Sequence, residues 1–169
     1  MVPGHEMDDG RLYTGTLVRS DRITPNASEE EVRNMVFRTQ DLSFDGRTGQ
    51  CVRVLAPGQF GNRYHPRLYS ISEVDDEHDY TEFTLCVRRC SYVDDFNGQE
   101  YPGVASNYLC DLRPGAAIQF IGPIGYPFTV PEDRNADILM IGMGTGIAPF
   151  RGLVREIYRR GGGWGGRVR

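Results

Sequence analysis

The stretch "HPRLYSIS" occupies residues 65–72, and its alternation reads as a β-strand. Leu68 and Ser70 fall on one face, with Arg67, Tyr69 and Ile71 on the other. A guanidinium, a phenol and a hydroxyl therefore crowd four consecutive positions of a good strand. Alone, the stretch fits a barrel strand that simply turns its arginine outward. Its neighbours decide the matter.

Working outward, short alternating runs recur between clusters of turn-forming residues. On the N-terminal side lie "RLYTGTLVRSDRI" (11–23), "EVRNMVFRT" (31–39) and "QCVRVLAPG" (50–58), with the turn-rich "DLSFDGRTG" at 41–49. On the other side, "EVDDEHDY" (73–80) reads as a solvated acidic loop, followed by the strand "EFTLCVRRC" (82–90) and a loop through "DDFNGQEYPG" (94–103). "SNYLCDLRPG" (106–115) predicts a short helix, capped by Ser106 and stopped by Pro114-Gly115. "AAIQFIGPIG" (116–125) returns to strand character. Six short strands and one small helix predict a mainly β chain folded as an antiparallel barrel.

The pattern then changes. "ADILMIGMGTGIAPFRGLVREIYRR" (136–160) reads as an apolar strand, a glycine turn and an amphipathic helix. That is the opening of a parallel, Rossmann-like α/β unit, whose strand is expected to be buried on both faces. The remaining "GGGWGGRVR" (161–169) has five glycines in nine residues. The expected division is a barrel domain over 1–132 and a truncated start of a second domain over 133–169. Glycines in "GMGTGIAP" (142–149) permit close approach of a ligand's phosphates, but a tight strand-to-helix connection explains them equally well. The spacing is not G-x-G-x-x-G, and no acidic residue follows Glu156 to read a ribose. The helix N-terminus at Ser106 is likewise open to an anion or to an ordinary cap.

Composition narrows the function. A 169-residue chain with 39% hydrophobic and 25% charged residues suits one domain, or one domain plus part of another. No apolar run approaches the roughly 20 residues needed for a transmembrane segment, and "MVPGHEMDDG" has no apolar signal core. The cytoplasm is expected, or an organelle stroma after removal of a transit peptide. A net charge of −4 opposes nucleic acid as a partner, and with it an oligonucleotide-binding barrel. Cys51, Cys86, Cys90 and Cys110 form no Cys-x-x-Cys pair, so inert thiols are expected rather than a disulfide or metal site.

Five segments occur in one order at compact spacing: "RLYSIS" (67–72), "CVRRCSY" (86–92), "GVASNYL" (103–109), "GPIGYPF" (122–128) and "ILMIGMGTGIAPFR" (138–151). Together they closely resemble the plant-type ferredoxin–NADP reductase family, from about residue 12 to residue 158. The resemblance implies a six-stranded antiparallel Greek-key barrel that binds FAD, with a short phosphate-binding helix, followed by the start of an NADP-binding domain. It implies that Arg67 pairs with the FAD pyrophosphate, that Leu68 and Tyr69 meet the isoalloxazine, and that Ser70 acts catalytically near the flavin N5. Cys86, Val87 and Arg88 would line the isoalloxazine and ribityl side, with Arg88 also reaching phosphates of the nicotinamide nucleotide. Tyr92 would stack on adenine, while Gly103, Val104, Ala105 and Ser106 hold the pyrophosphate; Ala105 stands where the family usually has cysteine. Thr145 would sit beside flavin and nicotinamide.

The implied chemistry is that of an FAD-dependent NADP(H) oxidoreductase exchanging electrons with ferredoxin or flavodoxin. The rest of the NADP-binding domain is expected beyond residue 158, so turnover of NADPH by this chain is expected to be slow. Two other readings share the motifs. One is a reductase component serving an oxygenase or a sulfite-reducing system; the other is a non-enzymatic flavin-binding fragment of a truncated gene.

Overall fold

Along Leu12–Arg22 every second residue from Tyr13 to Leu17 is buried, the signature of a strand with one face in a core. The computed structural model in which this is seen describes residues 10–76, 79–159 and 163–169. Residues 77 and 78 of the acidic stretch, residues 160–162 at the start of the glycine-rich tail, and the N-terminal 1–9 lie outside the described residues. The strands are β1 (Leu12–Arg22), β2 (Val32–Thr39), β3 (Cys51–Pro57), β4 (Tyr64–Asp75), β5 (Thr81–Arg88), β6 (Ser91–Val93), β7 (Glu100–Pro102) and β8 (Ala117–Ile124). Helix α1 spans Val104–Asp111, a 3-10 turn spans Gly144–Ile147, and helix α2 spans Ala148–Arg159.

Six strands close an antiparallel barrel in the order β1-β2-β5-β4-β3-β8. Closure gives every barrel strand a partner on both sides. The predicted six-stranded barrel is the observed one. β6 and β7 form a small hairpin outside it, within a segment expected to be loop.

Aromatic rings fill the interior. Phe83 lies 5.0 Å from Phe120, 5.3 Å from Phe44 and 5.7 Å from Phe37, centroid to centroid. Each such ring removes a large apolar area from water, worth about 1.5–3 kcal/mol. Phe44 comes from the turn-rich segment 41–49, so that connection is part of the core and not merely a link. At Gly15 a Cβ would stand 3.1 Å from the Phe120 ring, and glycine gives the ring its space.

Two expectations need correction. α1 begins at Val104 with Gly103 as its N-cap, so Ser106 lies inside the first turn. The Ser106 hydroxyl instead accepts the Cys90 N–H at 3.1 Å, a contact from elsewhere in the chain. The "ILMIGM" segment is also not a buried strand. Ile138 makes a single parallel bridge to Val168, and Met140 N–H donates to the Arg169 carbonyl at 2.7 Å. Leu139, Ile141 and Met143 are exposed, because no second layer covers them among the described residues. α2 is amphipathic as predicted, and Leu153 and Ile157 are buried. Among the described residues no helix is long and apolar enough to cross a membrane.

Arg89 fastens α1 to the barrel. It donates to Glu31 Oε2 at 2.7 Å, Asn107 Oδ1 at 2.9 Å and Asp111 Oδ1 at 2.8 Å. Glu31 also accepts from Arg33 Nε at 2.5 Å, and the Arg33 and Arg89 hydrogen bonds hold its carboxyl below the ordinary glutamate range. A depressed carboxylate stabilises the fold above its unfolded pKa and loses that contribution as the pH falls through the lower folded value. Glu31→Gln should therefore lower stability by about 1–2 kcal/mol at pH 7. The difference between the urea midpoints of the two chains should shrink as the pH falls below the ordinary glutamate range.

Candidate functional site

β4 runs antiparallel to β3, with Arg67 opposite Val54 and Tyr69 opposite Val52. The face of β4 that is core at Ile71 opens at Tyr69 and Arg67 into a groove of about 630 Å³. Arg67, Leu68 and Tyr69 line it together with Tyr92 of β6 and Gly103, Val104, Ala105 and Ser106 at the start of α1. Sequence positions far apart thus meet in one place.

Each group's state follows from its surroundings. Tyr69 is half-buried and packs against the barrel core. Burial, before any nearby charge, pushes its hydroxyl up to about 12, so it stays neutral at pH 7. Arg67 is exposed, and its Nη1 donates to the Pro66 carbonyl at 2.9 Å. No carboxylate pairs with it among the described residues, which leaves a cation facing the groove. His65 lines the same groove; burial, and then the Arg67 charge, hold its pKa below the ordinary histidine value.

α1 adds backbone donors. The first-turn amides of Val104, Ala105 and Ser106 have no acceptor within the helix, and Gly103 supplies no side-chain cap. Asn107 Nδ2 donates to the carbonyls of Cys90 at 2.8 Å and Gly103 at 2.7 Å, fixing the helix start against the end of β5. A Cβ at residue 103 would sit 3.0 Å from the Cys90 carbonyl oxygen, tighter than ordinary contact, so glycine suits this close approach. Ser106 therefore offers its amide to the groove, its hydroxyl being engaged. Tyr92 stacks on Tyr101 at 5.8 Å and 29°, and remains 52% exposed on the groove side of the hairpin.

A second groove, of about 470 Å³, gathers Cys86 and Arg88 of β5, Thr145 of the 3-10 turn, and Ser72 and Arg151. Burial pushes the Cys86 thiol up. Arg88 is exposed, with Nη1 3.6 Å from Glu30 Oε2. Ser70 lines neither groove; it lies between them along β4, with its Oγ 3.5 Å from Cys51 Sγ. Val87 points into the barrel core, so only its main chain is left to meet a ligand.

Glu73 is a residue that the sequence hides. Its place in an acidic run suggests solvated surface, yet it belongs to β4 and its side chain is only 15% exposed. Arg151 Nη2 donates to Oε2 at 3.0 Å. Arg151 Nε and Arg155 Nη1 each lie 2.8 Å from Oε1, close in charge but not aligned as hydrogen bonds. Between the two arginines, a Cβ on Gly152 would come 2.4 Å from the Ser72 carbonyl, so α2 rests directly on β4. The i, i+4 arginines flanking a glycine were the available signal.

No family model matches the chain. It is similar to the chloroplastic ferredoxin–NADP reductase leaf isozyme 2 of Oryza sativa subsp. indica, 41% identical over 150 residues, covering 86% of this chain and 40% of that one. The chloroplastic ferredoxin–NADP reductase of Spinacia oleracea is 39% identical over 150 residues, with the same 86% and 40% coverage. The chain thus spans about 40% of the length of these curated relatives. In fold it is similar to the ferredoxin–NADP+ reductase from Plasmodium falciparum, with a TM-score of 0.72, 20% identity, and coverage of 93% of this chain and 56% of that one.

Because Glu73 holds α2 and the adjoining 3-10 turn on the barrel, Glu73→Gln should loosen that attachment selectively. Amide hydrogen exchange should rise within 148–159 while β1, β2 and β8 keep their protection. Equal protection of α2 in both chains would show that the apolar contacts of Leu153 and Ile157 suffice.

Proposed function

Because the chain belongs to the ferredoxin–NADP reductase family, we propose that it provides the FAD-binding barrel of such a flavoprotein. The observation that carries this reading is the first groove. A guanidinium with no carboxylate partner among the described residues and the free amides of a helix start face a cavity whose lining includes the rings of Tyr69 and Tyr92. That donor set fits a dinucleotide: charge and amides for a pyrophosphate, rings for its two planar ends.

Arg67 would neutralise the pyrophosphate, and its fork of donors suits phosphate oxygens. The amides of Val104, Ala105 and Ser106 would complete that cradle, Gly103 allowing the close packing behind it. Tyr69, neutral at pH 7 and braced on the core, would carry the isoalloxazine with Leu68 beside it. Tyr92, already backed by Tyr101, would carry the adenine. Ser70 would present its hydroxyl as the catalytic group between the grooves, and Cys86, Arg88 and Thr145 would form the nicotinamide side, with the Val87 main chain beneath them. When bound, FAD supplies hydride exchange with NADP(H) and single-electron exchange with ferredoxin or flavodoxin.

Ferredoxin or flavodoxin is favoured as electron partner over an oxygenase or a sulfite-reducing system, since the curated relatives reported above are ferredoxin–NADP reductases. Those relatives are chloroplastic by name, and an organelle stroma or the cytoplasm is the proposed location. Residues 1–132 would form the FAD-binding unit and 133–169 would belong to an NADP-binding unit. The 3-10 turn after the apolar segment is that unit's contribution to the second groove.

Arg67→Ala should lower FAD affinity by about 2–4 kcal/mol, the effect of deleting one partner of a close charge pair. Unchanged flavin occupancy, read from visible absorbance, would refute the assignment. FAD should also bind at least about tenfold more tightly than FMN, which lacks the adenine end.

A further inference from the structure

The hairpin joining β3 to β4 turns through Gln59-Phe60-Gly61-Asn62, closed by Asn62 N–H donating to the Gln59 carbonyl at 3.1 Å. Its two central residues both have positive φ, 53° at Phe60 and 84° at Gly61. Such a two-residue hairpin turn selects Asn, Asp or Gly at its first central position, because a large side chain is strained there. Phe60 is nevertheless in place, and it is 98% exposed. Strained backbone and a phenyl ring in water are both unfavourable, and no packing among the described residues offsets them.

The turn fixes the point at which the ring is attached. Gly58 N–H donates to the Arg63 carbonyl at 3.1 Å, and Asn62 Nδ2 donates to the Gln59 carbonyl at 3.2 Å. A Cβ on Gly58 would come 1.9 Å from the Asn62 carbonyl oxygen, so the hairpin is closed tightly beneath Phe60. Phe60 is therefore held at the rim of the groove that contains Arg67, Tyr92 and the α1 amides. A planar apolar ring next to phosphate donors suits a flat aromatic base joined to phosphate. Backbone strain retained at a ligand groove is expected where the strained residue touches the ligand.

We propose that Phe60 contacts the adenine of FAD together with Tyr92, forming a second aromatic wall of the adenine site. The proposal rests on the FAD reading of the groove, with Tyr69 taking the isoalloxazine and leaving the adenine for the Phe60 side. It separates stability from binding, because the residue that binds best is not the residue that the turn prefers.

The test compares the full 169-residue chain with Phe60→Asn and Phe60→Trp. FAD and FMN binding are read from quenching of flavin fluorescence, ADP binding from calorimetry, and stability from thermal melts. Phe60→Asn should raise Tm by about 2–4 °C, since asparagine tolerates positive φ. It should also weaken both FAD and ADP by about tenfold, the loss of one stacking contact, while FMN is unchanged. Phe60→Trp should retain wild-type affinity for FAD and ADP. Unchanged FAD affinity in Phe60→Asn would overturn the proposal, as would an equal loss for FMN or a fall in Tm, either of which would mark a structural role. A wild-type chain that binds neither FAD nor ADP would overturn the FAD reading itself, and the proposal with it, an outcome visible before any variant is made.

Discussion

Closure of the barrel around Phe83 and Phe120 is the constraint from which the site follows. The two rings sit 5.0 Å apart, and strands on opposite sides of the barrel reach them only if all six strands pair in register. Slipping β4 by one residue would exchange the faces of Ile71 and Ser70 and put a hydroxyl where Ile71 is fully buried. Packing of Ile71 thereby also sets where Tyr69 and Arg67 emerge. The groove is the open end of the same face.

Polar contacts then fix what the barrel leaves free. Arg89 ties Asn107 and Asp111 of α1 to Glu31 at the edge of the barrel, and the start of that helix lines the same groove as Arg67. Glu73 does the same for α2 on the other side of β4, bringing Thr145 to Cys86 and Arg88. Both clamps draw on arginines whose partners lie in other elements. The first clamp grips α1 at Asn107 and Asp111, and the second grips α2 at Arg151 and Arg155. Every basic side chain of the chain other than histidine is an arginine, and the multiple donors of the guanidinium allow Arg89 to engage three acceptors at once.

The arrangement also separates two kinds of surface. The first groove is built from a barrel strand, a helix start pinned by Asn107 and a closed hairpin. The second depends on α2 resting on β4 through Gly152, the Glu73 ion pairs and the buried Leu153 and Ile157.

Six barrel strands and the two helices were legible in the sequence, because period-two alternation and turn residues are local properties. Motif order likewise pointed to the family, since it needs no contact information. Other features were decided by the tertiary structure. Phe44 reads as loop because its neighbours are turn formers, and only the barrel end gives it rings to pack on. Ser106 reads as a cap because the Cys90 amide that claims its hydroxyl is 16 residues away. Glu73 reads as solvated until α2 folds back over β4, and "ILMIGM" reads as buried although burial needs covering layers that the segment itself cannot supply. Local pattern determined which residues could face a core or a ligand. Long-range closure decided which of them do, because burial, pairing and charge compensation belong to pairs of distant residues.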